Sequence, residues 1–233
     1  MKTAFIVPFR DRGRDPLRFA NLLVVTERLM SYDLGPVHVV SDGGVADQQF
    51  CRHAAYNTGT AQTDADILIY YESDMLIAAT QLRDAISLAA HADGLVVPFT
   101  QYRYLSETDS QWVRVYATEP ERCIPESVMN DGASIGAINV VSAESVRKVG
   151  RWDTGFTGNW YDDNAMERAF SVCCGKTRFI DGPAYHLYHL PGWKGDHLTS
   201  ADREATERNR ARWRKYQAAR TAERIRELTA GGD

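Results

Sequence analysis

No run of this 233-residue chain is apolar for long enough to cross a bilayer; the longest, such as the one around Leu22 to Val25, fall far short of the roughly 20 residues a spanning helix needs. Met1-Lys2-Thr3 leads straight into a strand-like segment with no leader pattern, so the expected location is the cytoplasm. Cysteine is scarce. Cys173 and Cys174 are adjacent, while Cys51 and Cys123 stand alone with no C-x-x-C or His/Cys zinc spacing, which excludes a disulfide framework and reads as four reduced thiols. A large net charge is also missing: 27 basic against 31 acidic residues leave −4, so the molecule as a whole is no polyelectrolyte for nucleic acid or anionic membrane, and charge has to be read by segment. Internal repeats and low-complexity linkers are absent too. What remains, 44% hydrophobic and 25% charged residues, is the composition of an ordinary globular domain.

Strand and helix signals alternate along the chain. Ala4 to Phe9 is a short run rich in β-formers, followed by the charged loop Arg10-Asp11-Arg12-Gly13-Arg14 and helical periodicity from about Pro16 to Met30. Val37 to Val40 reads as a strand ending in Ser41-Asp42-Gly43-Gly44, Gln48 to Gln62 as a helix and Asp66 to Tyr71 as a third strand. A helix from about Gln81 to Ala92 and strands at Gly94 to Phe99 and Ser134 to Val141 continue the order, and a late strand-like segment begins near Arg178. This is an α/β layered sheet, in which ligands bind where the carboxyl ends of the strands open into a crevice. From Ser200 to Leu228 the composition turns to Arg, Glu and Ala without Gly or Pro, a helix on propensity alone. Residues 203–226 carry eight Arg and Lys215 against three Glu. Such a helix reads either as a solvated surface helix or as a docking arm for nucleic acid, anionic lipid or a protein. The division expected is a domain over residues 1–198 and an Arg-rich helix and tail over 199–233.

Several constellations fall at strand ends. Glu72-Ser73-Asp74 closes the third strand with two carboxylates one residue apart, able to face one site because alternate strand residues point the same way. Hard oxygen ligands of this kind suit magnesium or manganese, though an acid-x-acid pair is also an ordinary solvated strand end. Tyr185-His186-Leu187-Tyr188-His189 places two of only six histidines three residues apart; an imidazole beside carboxylates favours manganese over calcium, and either His186 or His189 is a candidate. Gly158-Asn159-Trp160-Tyr161-Asp162-Asp163 opens a helix with adjacent acids. These complement the helix dipole, and equally a carboxylate held there beside aromatics can orient a hydroxyl and take its proton, with Trp160 and Tyr161 stacking on sugar faces. Pro8-Phe9-Arg10, with Arg12, and Phe50-Cys51-Arg52, with Asn57 and Gly59, supply arginines suited to phosphate.

Taken in order over roughly residues 4 to 193, these segments resemble the GT-A glycosyltransferases, in particular the β-1,4-galactosyltransferase and polypeptide N-acetylgalactosaminyltransferase branch. The resemblance implies a single Rossmann-like GT-A domain with a mainly parallel central sheet plus the C-terminal helical extension. It implies nucleotide-sugar binding by Pro8, Phe9, Arg10, Arg12, Arg52, Glu72 and Ser73, with Glu72-Ser73-Asp74 in the place of the family's Asp-x-Asp. Asp74 inherits the direct metal-ligand role with His186 or His189, Asp163 next to Asp162 that of the catalytic base of an inverting enzyme, and Trp160 and Tyr161 that of acceptor contacts; a retaining outcome stays open, since the N-acetylgalactosaminyltransferase relatives share much of the pattern without such a base. The donor implied is a UDP-sugar, the cofactor Mn²⁺ or Mg²⁺, and the acceptor a protein, glycan, lipid or nucleic acid. Two features depart from the family pattern: Glu72 replaces an aspartate, and the Gly-rich acceptor loop is replaced by the bulkier Gly158-Asn159-Trp160-Tyr161. Two other readings compete, a sugar nucleotidyltransferase, whose phosphate loop would be Gly-rich where Pro8 to Gly13 is not, and a non-catalytic binding module using the basic C-terminal helix.

Overall fold

Ala4 to Val7 carry no polar side chain, and in the computed structural model, which describes residues 1–45, 48–192 and 195–231, all four are fully shielded. Trp193, which ends the stretch bearing the resemblance, and Gly232 and Asp233 of the C-terminal segment lie outside the described residues. The chain runs β1 (Thr3–Pro8), α1 (Pro16–Ser31), β2 (Val37–Val40), α2 (Arg52–Ala61), β3 (Ile67–Tyr71), β4 (Met75–Ile77), α3 (Ala79–His91), β5 (Val96–Val97), β6 (Gln101–Tyr104), α4 (Glu107–Tyr116), β7 (Ser127–Met129), β8 (Ile138–Ser142), α5 (Ala143–Val149), α6 (Asp162–Cys174), β9 (Arg178–Phe179), β10 (Pro183–His186), α7 (Ser200–Ala218) and α8 (Ala222–Thr229). The central sheet has the order β2-β1-β3-β8-β5-β9 and is parallel except for β8, which runs antiparallel to both neighbours. A smaller sheet, β4-β10-β6-β7, stands beyond the carboxyl end of β3.

The period-2 geometry of β1 divides the core. Phe5 and Val7 point to the side filled by α1, α3 and the smaller sheet, whereas Ala4 and Ile6 point to the side filled by α2, α5, α6, α7 and α8. On the latter side a Cβ added at Gly59 of α2 would lie 2.4 Å from Ile6, so this glycine is what lets α2 sit close on the sheet. Trp152 is the hub there, with ring centroids 4.6 Å from Tyr70, 5.0 Å from Tyr56 and 5.7 Å from Phe170. Asn57 fixes its backbone from both ends, donating to the Trp152 carbonyl at 2.8 Å and accepting from its N–H at 3.0 Å.

The strand expected over Gly94 to Phe99 is reduced to Val96–Val97, and four further elements differ, each for a physical reason. The helix expected over Gln48 to Gln62 begins only at Arg52, because the carbonyls of Gln48 and Gln49 are taken by Arg10 and the Cys51 N–H by Asp42. The strand expected over Ser134 to Val141 is displaced to Ile138–Ser142. The preceding residues are spent on a turn in which Ala137 holds φ 71° and its carbonyl accepts from Glu72 N. The late strand is two strands in different sheets, parted at Gly182 with φ 135°, and His189 lies past the second. The single C-terminal helix is broken after Ala218, where Thr221 caps a new helix by accepting from Arg224 N at 3.2 Å.

Candidate functional site

Two groups of side chains converge beyond the carboxyl end of β3. In the first, Asp74 follows directly on that strand end and is 4% exposed. The chain then turns into β4, which pairs with β10, and this pairing brings His186 and His189 to the same carboxylate. His189 Nε2 lies 3.0 Å and His186 Nε2 3.9 Å from Asp74 Oδ2, with Arg18 of α1 at 4.0 Å. One ligand atom from each of Asp74, His186 and His189 falls within 4.8 Å of the others. Burial pushes the Asp74 carboxyl up, but the facing imidazoles and Arg18 outweigh it and hold the group well below the usual carboxylate range. Burial lowers His186 to about 4 against the pull of Asp74, so at neutral pH it carries a lone pair, and His189 and Arg18 are then what keep Asp74 ionised.

The donor set fits a divalent cation. Asp74 Oδ1 is buried without a hydrogen-bond partner, an arrangement that costs about 1–3 kcal/mol when nothing else binds the atom. His189 Nδ1 is 2.8 Å from the Leu190 carbonyl, a bond that orients the ring with Nε2 toward Asp74 and is of the kind metal-binding histidines usually make. One carboxylate and two imidazoles make a mixed oxygen and nitrogen set that divalent transition ions, manganese among them, accept. Tyr102 and Tyr104 pack on His186 at 5.7 and 5.2 Å, closing one side.

In the second group, Asp162 and Asp163 open α6. Tyr161, the residue before them, offers no side-chain cap, and Trp160 and Tyr161 are both left-handed, with φ 76° and 70°. That conformation costs a side-chain-bearing residue about 1–2 kcal/mol each. With Ala137 at φ 71°, three of the six left-handed non-glycine residues among those described flank these acids. Arg52, at the start of α2, gathers three carboxylates: it pairs with Glu72 and Asp162 and lies 3.0 Å from Asp163 Oδ1. Asp162 is buried, with its pKa lowered against the cost of burial by Arg52 and His53. Asp163 goes the other way: recession among protein atoms pushes it up to about 6, with Arg52 pulling down and the neighbouring Asp162 pushing up. It keeps a third of its side chain open. A carboxyl of this kind is poised to exchange a proton near neutral pH.

The other expected residues are placed as follows. Pro8 ends β1, buried, and Phe9 packs on Phe19 at 6.1 Å. Arg10 is heavily engaged: Asp42 takes its Nε at 2.7 Å, the carbonyls of Val45, Gln48 and Gln49 accept from its Nη1 and Nη2, and its side chain is only 7% exposed. It staples Asp42, Val45, Gln48 and Gln49 to the end of β1, which points it away from a ligand role. Arg12 is the opposite, with Nε and Nη2 buried and unpartnered and Asp202 no closer than 3.9 Å. Burial, then Arg14, depress its pKa. Ser73 is buried and Glu72 half-buried against Arg52; Trp160 is 51% exposed, and Tyr161 lies under Arg210, 5.8 Å from ring to guanidinium. Sequence reasoning missed Arg18, Tyr102 and Gly136. A Cβ on Gly136 would lie 2.3 Å from Asp163 Oδ2, so the glycine makes the room this acid occupies. Only Arg18, on the α1 turn facing the strand ends, carried a signal that periodicity could have found. Two open clefts of about 850 and 580 Å³ line the opposite, amino ends of β1 and β3; they contain neither group of residues and have no comparable convergence of acids and histidines.

The Arg-rich segment is anchored to the fold through a few of its side chains, while Arg203, Arg208, Arg210, Arg214, Arg220 and Arg226 are exposed. Arg212 donates to Asp153, itself fully buried, at 2.6 and 2.9 Å, and Tyr216 adds a hydroxyl at 2.7 Å. Ile225 and Leu228 enter the Trp152 core. Among the described residues no helix is long and apolar enough to cross a membrane.

No protein-family model and no curated protein sequence matches the chain. Solved structures do. The catalytic domain of Drosophila β1,4-galactosyltransferase 7, in complex with xylobiose, is similar with a TM-score of 0.51 at 13% identity, over 95% of this chain and 83% of that one. Glucosyl-3-phosphoglycerate synthase from Mycobacterium tuberculosis, in complex with Mn²⁺ and UDP-glucose, gives 0.53 at 10% identity over 87% and 75%. GalNAc-T7 with UDP, GalNAc and Mn²⁺ gives 0.51 at 15% identity over 93% of this chain and 49% of that one, so the present chain spans about half its length. With its mainly parallel central sheet and the small sheet beyond the end of β3, the chain has the fold of the GT-A glycosyltransferases.

Proposed function

We propose that this protein is a metal-dependent glycosyltransferase that moves a sugar from a nucleotide diphosphate, a UDP-sugar by the company its fold keeps, to an acceptor hydroxyl with inversion at the anomeric carbon. The observation that carries the reading is the pairing, at one sheet edge, of a carboxylate–bis-histidine cluster having an orphaned oxygen with a carboxyl whose pKa sits near 6. Asp74, His186 and His189 would hold Mn²⁺ or Mg²⁺, which when bound neutralises the charge growing on the departing diphosphate. Arg12, with unspent N–H groups, and Arg18, beside Asp74, are the cations placed to meet phosphate oxygens; Arg10 serves by shaping the loop. Arg52 holds Glu72, Asp162 and Asp163 in register, so its part in donor binding is indirect.

Asp163 accepts the proton of the acceptor hydroxyl as that oxygen bonds to the anomeric carbon and the bond from this carbon to the diphosphate oxygen breaks, the electron pair leaving with UDP. Trp160 offers an open ring at the same loop for a sugar face, which favours a saccharide-bearing acceptor. Residues 1–198 form the catalytic domain in this reading and 199–233 its helical extension. The commitment of Arg212 to Asp153 speaks against a free docking arm. The test is release of UDP from a UDP-hexose panel with Mn²⁺ and p-nitrophenyl glycosides, with the anomeric configuration of the product read by NMR. Turnover abolished by Asp163→Asn with an inverted product supports the proposal, whereas turnover retained in that variant removes Asp163 as the base.

A further inference from the structure

Asn209 lies in the middle of α7, a helix that carries no residue of the site just described, and it is 1% exposed. Its amide is spent on one short segment of backbone. Oδ1 accepts from Thr157 N at 3.3 Å, and Nδ2 lies 3.0 Å from the Thr157 carbonyl, 3.0 Å from that of Asn159 and 3.1 Å from that of Trp160. Three carbonyls on one side and one N–H on the other leave the amide a single sensible orientation. The segment so held contains Gly158 at φ 75° and runs into Trp160 and Tyr161, both left-handed, immediately before Asp162 and Asp163. With no side-chain cap at Tyr161, no local side chain decides where α6 begins. Arg52 holds the acids themselves and the Phe50 carbonyl takes the Gly158 N–H at 2.8 Å; the side-chain anchor of the turn before them comes from α7.

That helix is fastened independently on both sides of Asn209. Seven residues earlier Asp202 takes Arg14 at 3.2 Å and Gln49 at 2.8 Å, and three residues later Arg212 takes Asp153. Along one face, therefore, α7 touches the loop after β1 that carries Arg12 and Arg14, the loop that carries Trp160, and the start of the latter at Asp153. Losing the Asn209 amide leaves these other ties in place.

We propose that Asn209 is a positioning residue for the transfer reaction: it locks residues 157–160 in the left-handed turn that delivers Asp163 and Trp160 to the site. The inference rests on the reading of Asp163 as the base. It gives the Arg-rich segment a part in catalysis through a neutral side chain rather than through its charge.

The test uses the full chain with Asn209→Ala and Asn209→Asp, the latter keeping the shape but turning oxygen toward three carbonyls. Expected are UDP affinity in Mn²⁺ within twofold of wild type, amide exchange in peptides spanning 157–161 at least tenfold faster with β1 and β3 unchanged, and kcat for UDP release with p-nitrophenyl glycosides down at least tenfold at unchanged donor KM. Wild-type exchange at 157–161, or a loosening spread evenly over α6 and α7, would overturn the inference. Should neither variant fold, the wild type decides. The Thr157 amide must then exchange at least a hundredfold more slowly than an unstructured amide, and fast exchange there sinks the clamp. Absence of turnover by the wild type with every UDP-sugar sinks the transfer reading, while the exchange data judge the clamp separately.

Discussion

Replacing Gly136 by alanine puts a single methyl group where the structure reserves space for a carboxylate. The new Cβ would stand 2.3 Å from Asp163 Oδ2 and 2.5 Å from its Cγ, against an ordinary contact of at least 3.4 Å, so one side must yield by about 1.1 Å. The backbone before β8 is held by the bond from Glu72 N to the Ala137 carbonyl at 2.8 Å, which leaves the side chain of Asp163 as the part that moves. A displacement of about 1 Å in a reacting group costs on the order of 10²-fold in rate, equivalent to about 2.7 kcal/mol of barrier. Overpacking adds a destabilisation of about 1–3 kcal/mol. Gly136→Ala should therefore lower kcat for UDP release about a hundredfold while calorimetric UDP binding in Mn²⁺ changes little, because the atoms nearest the new methyl all belong to Asp163 and not to Asp74, His186 or His189. A folded variant with kcat within twofold of wild type would refute the placement of Asp163 at the reacting atoms.

Since Asp163 must be ionised to accept a proton and its pKa is raised to about 6, kcat should fall tenfold per pH unit below about 6. Asp162 pushes that pKa up, so Asp162→Asn should move the acid limb to lower pH, and a limb that stays put would remove this coupling. A carboxyl raised in the fold is a liability above its unfolded pKa. Asp163→Asn should accordingly be more stable than wild type in urea at pH 8, with the gain shrinking as pH falls through about 6 toward 3.8. Asp153→Ala leaves Arg212 without its buried partner and should cost about 3–5 kcal/mol in urea denaturation, where a loss under 1 kcal/mol would contradict the buried pairing. His189→Ala and His186→Ala should each weaken Mn²⁺ binding by at least 10-fold in calorimetry, and a variant that binds as wild type would remove its histidine from the ligand set.

The fold was legible where it rests on local pattern. The apolar run Ala4 to Val7, the helix beginning at Pro16 and the fully buried β3 follow from periodicity, and they place Asp74 just past a strand end. The smaller sheet was not legible, because its strands are three or four residues long and pair across large sequence separations: β4 with β10, and β10 with β6. The acids and histidines of the site could be named from their spacing. The roles of the arginines could not, since Arg10 and Arg52 look like phosphate ligands in sequence and only tertiary placement shows them spent on Asp42 and on three carboxylates. A single glycine such as Gly136, or a single asparagine such as Asn209, has no periodic signature; its importance lies in what approaches it from another part of the chain.

The most direct test of the central claim is titration calorimetry of UDP against the wild type and Asp74→Ala, each with and without Mn²⁺. The account predicts binding that requires Mn²⁺ and disappears in the variant while its thermal unfolding remains cooperative. Binding equally strong without metal, or unchanged by loss of the Asp74 carboxylate, would contradict the assignment of the Asp74–His186–His189 cluster as the metal centre of a nucleotide-sugar site.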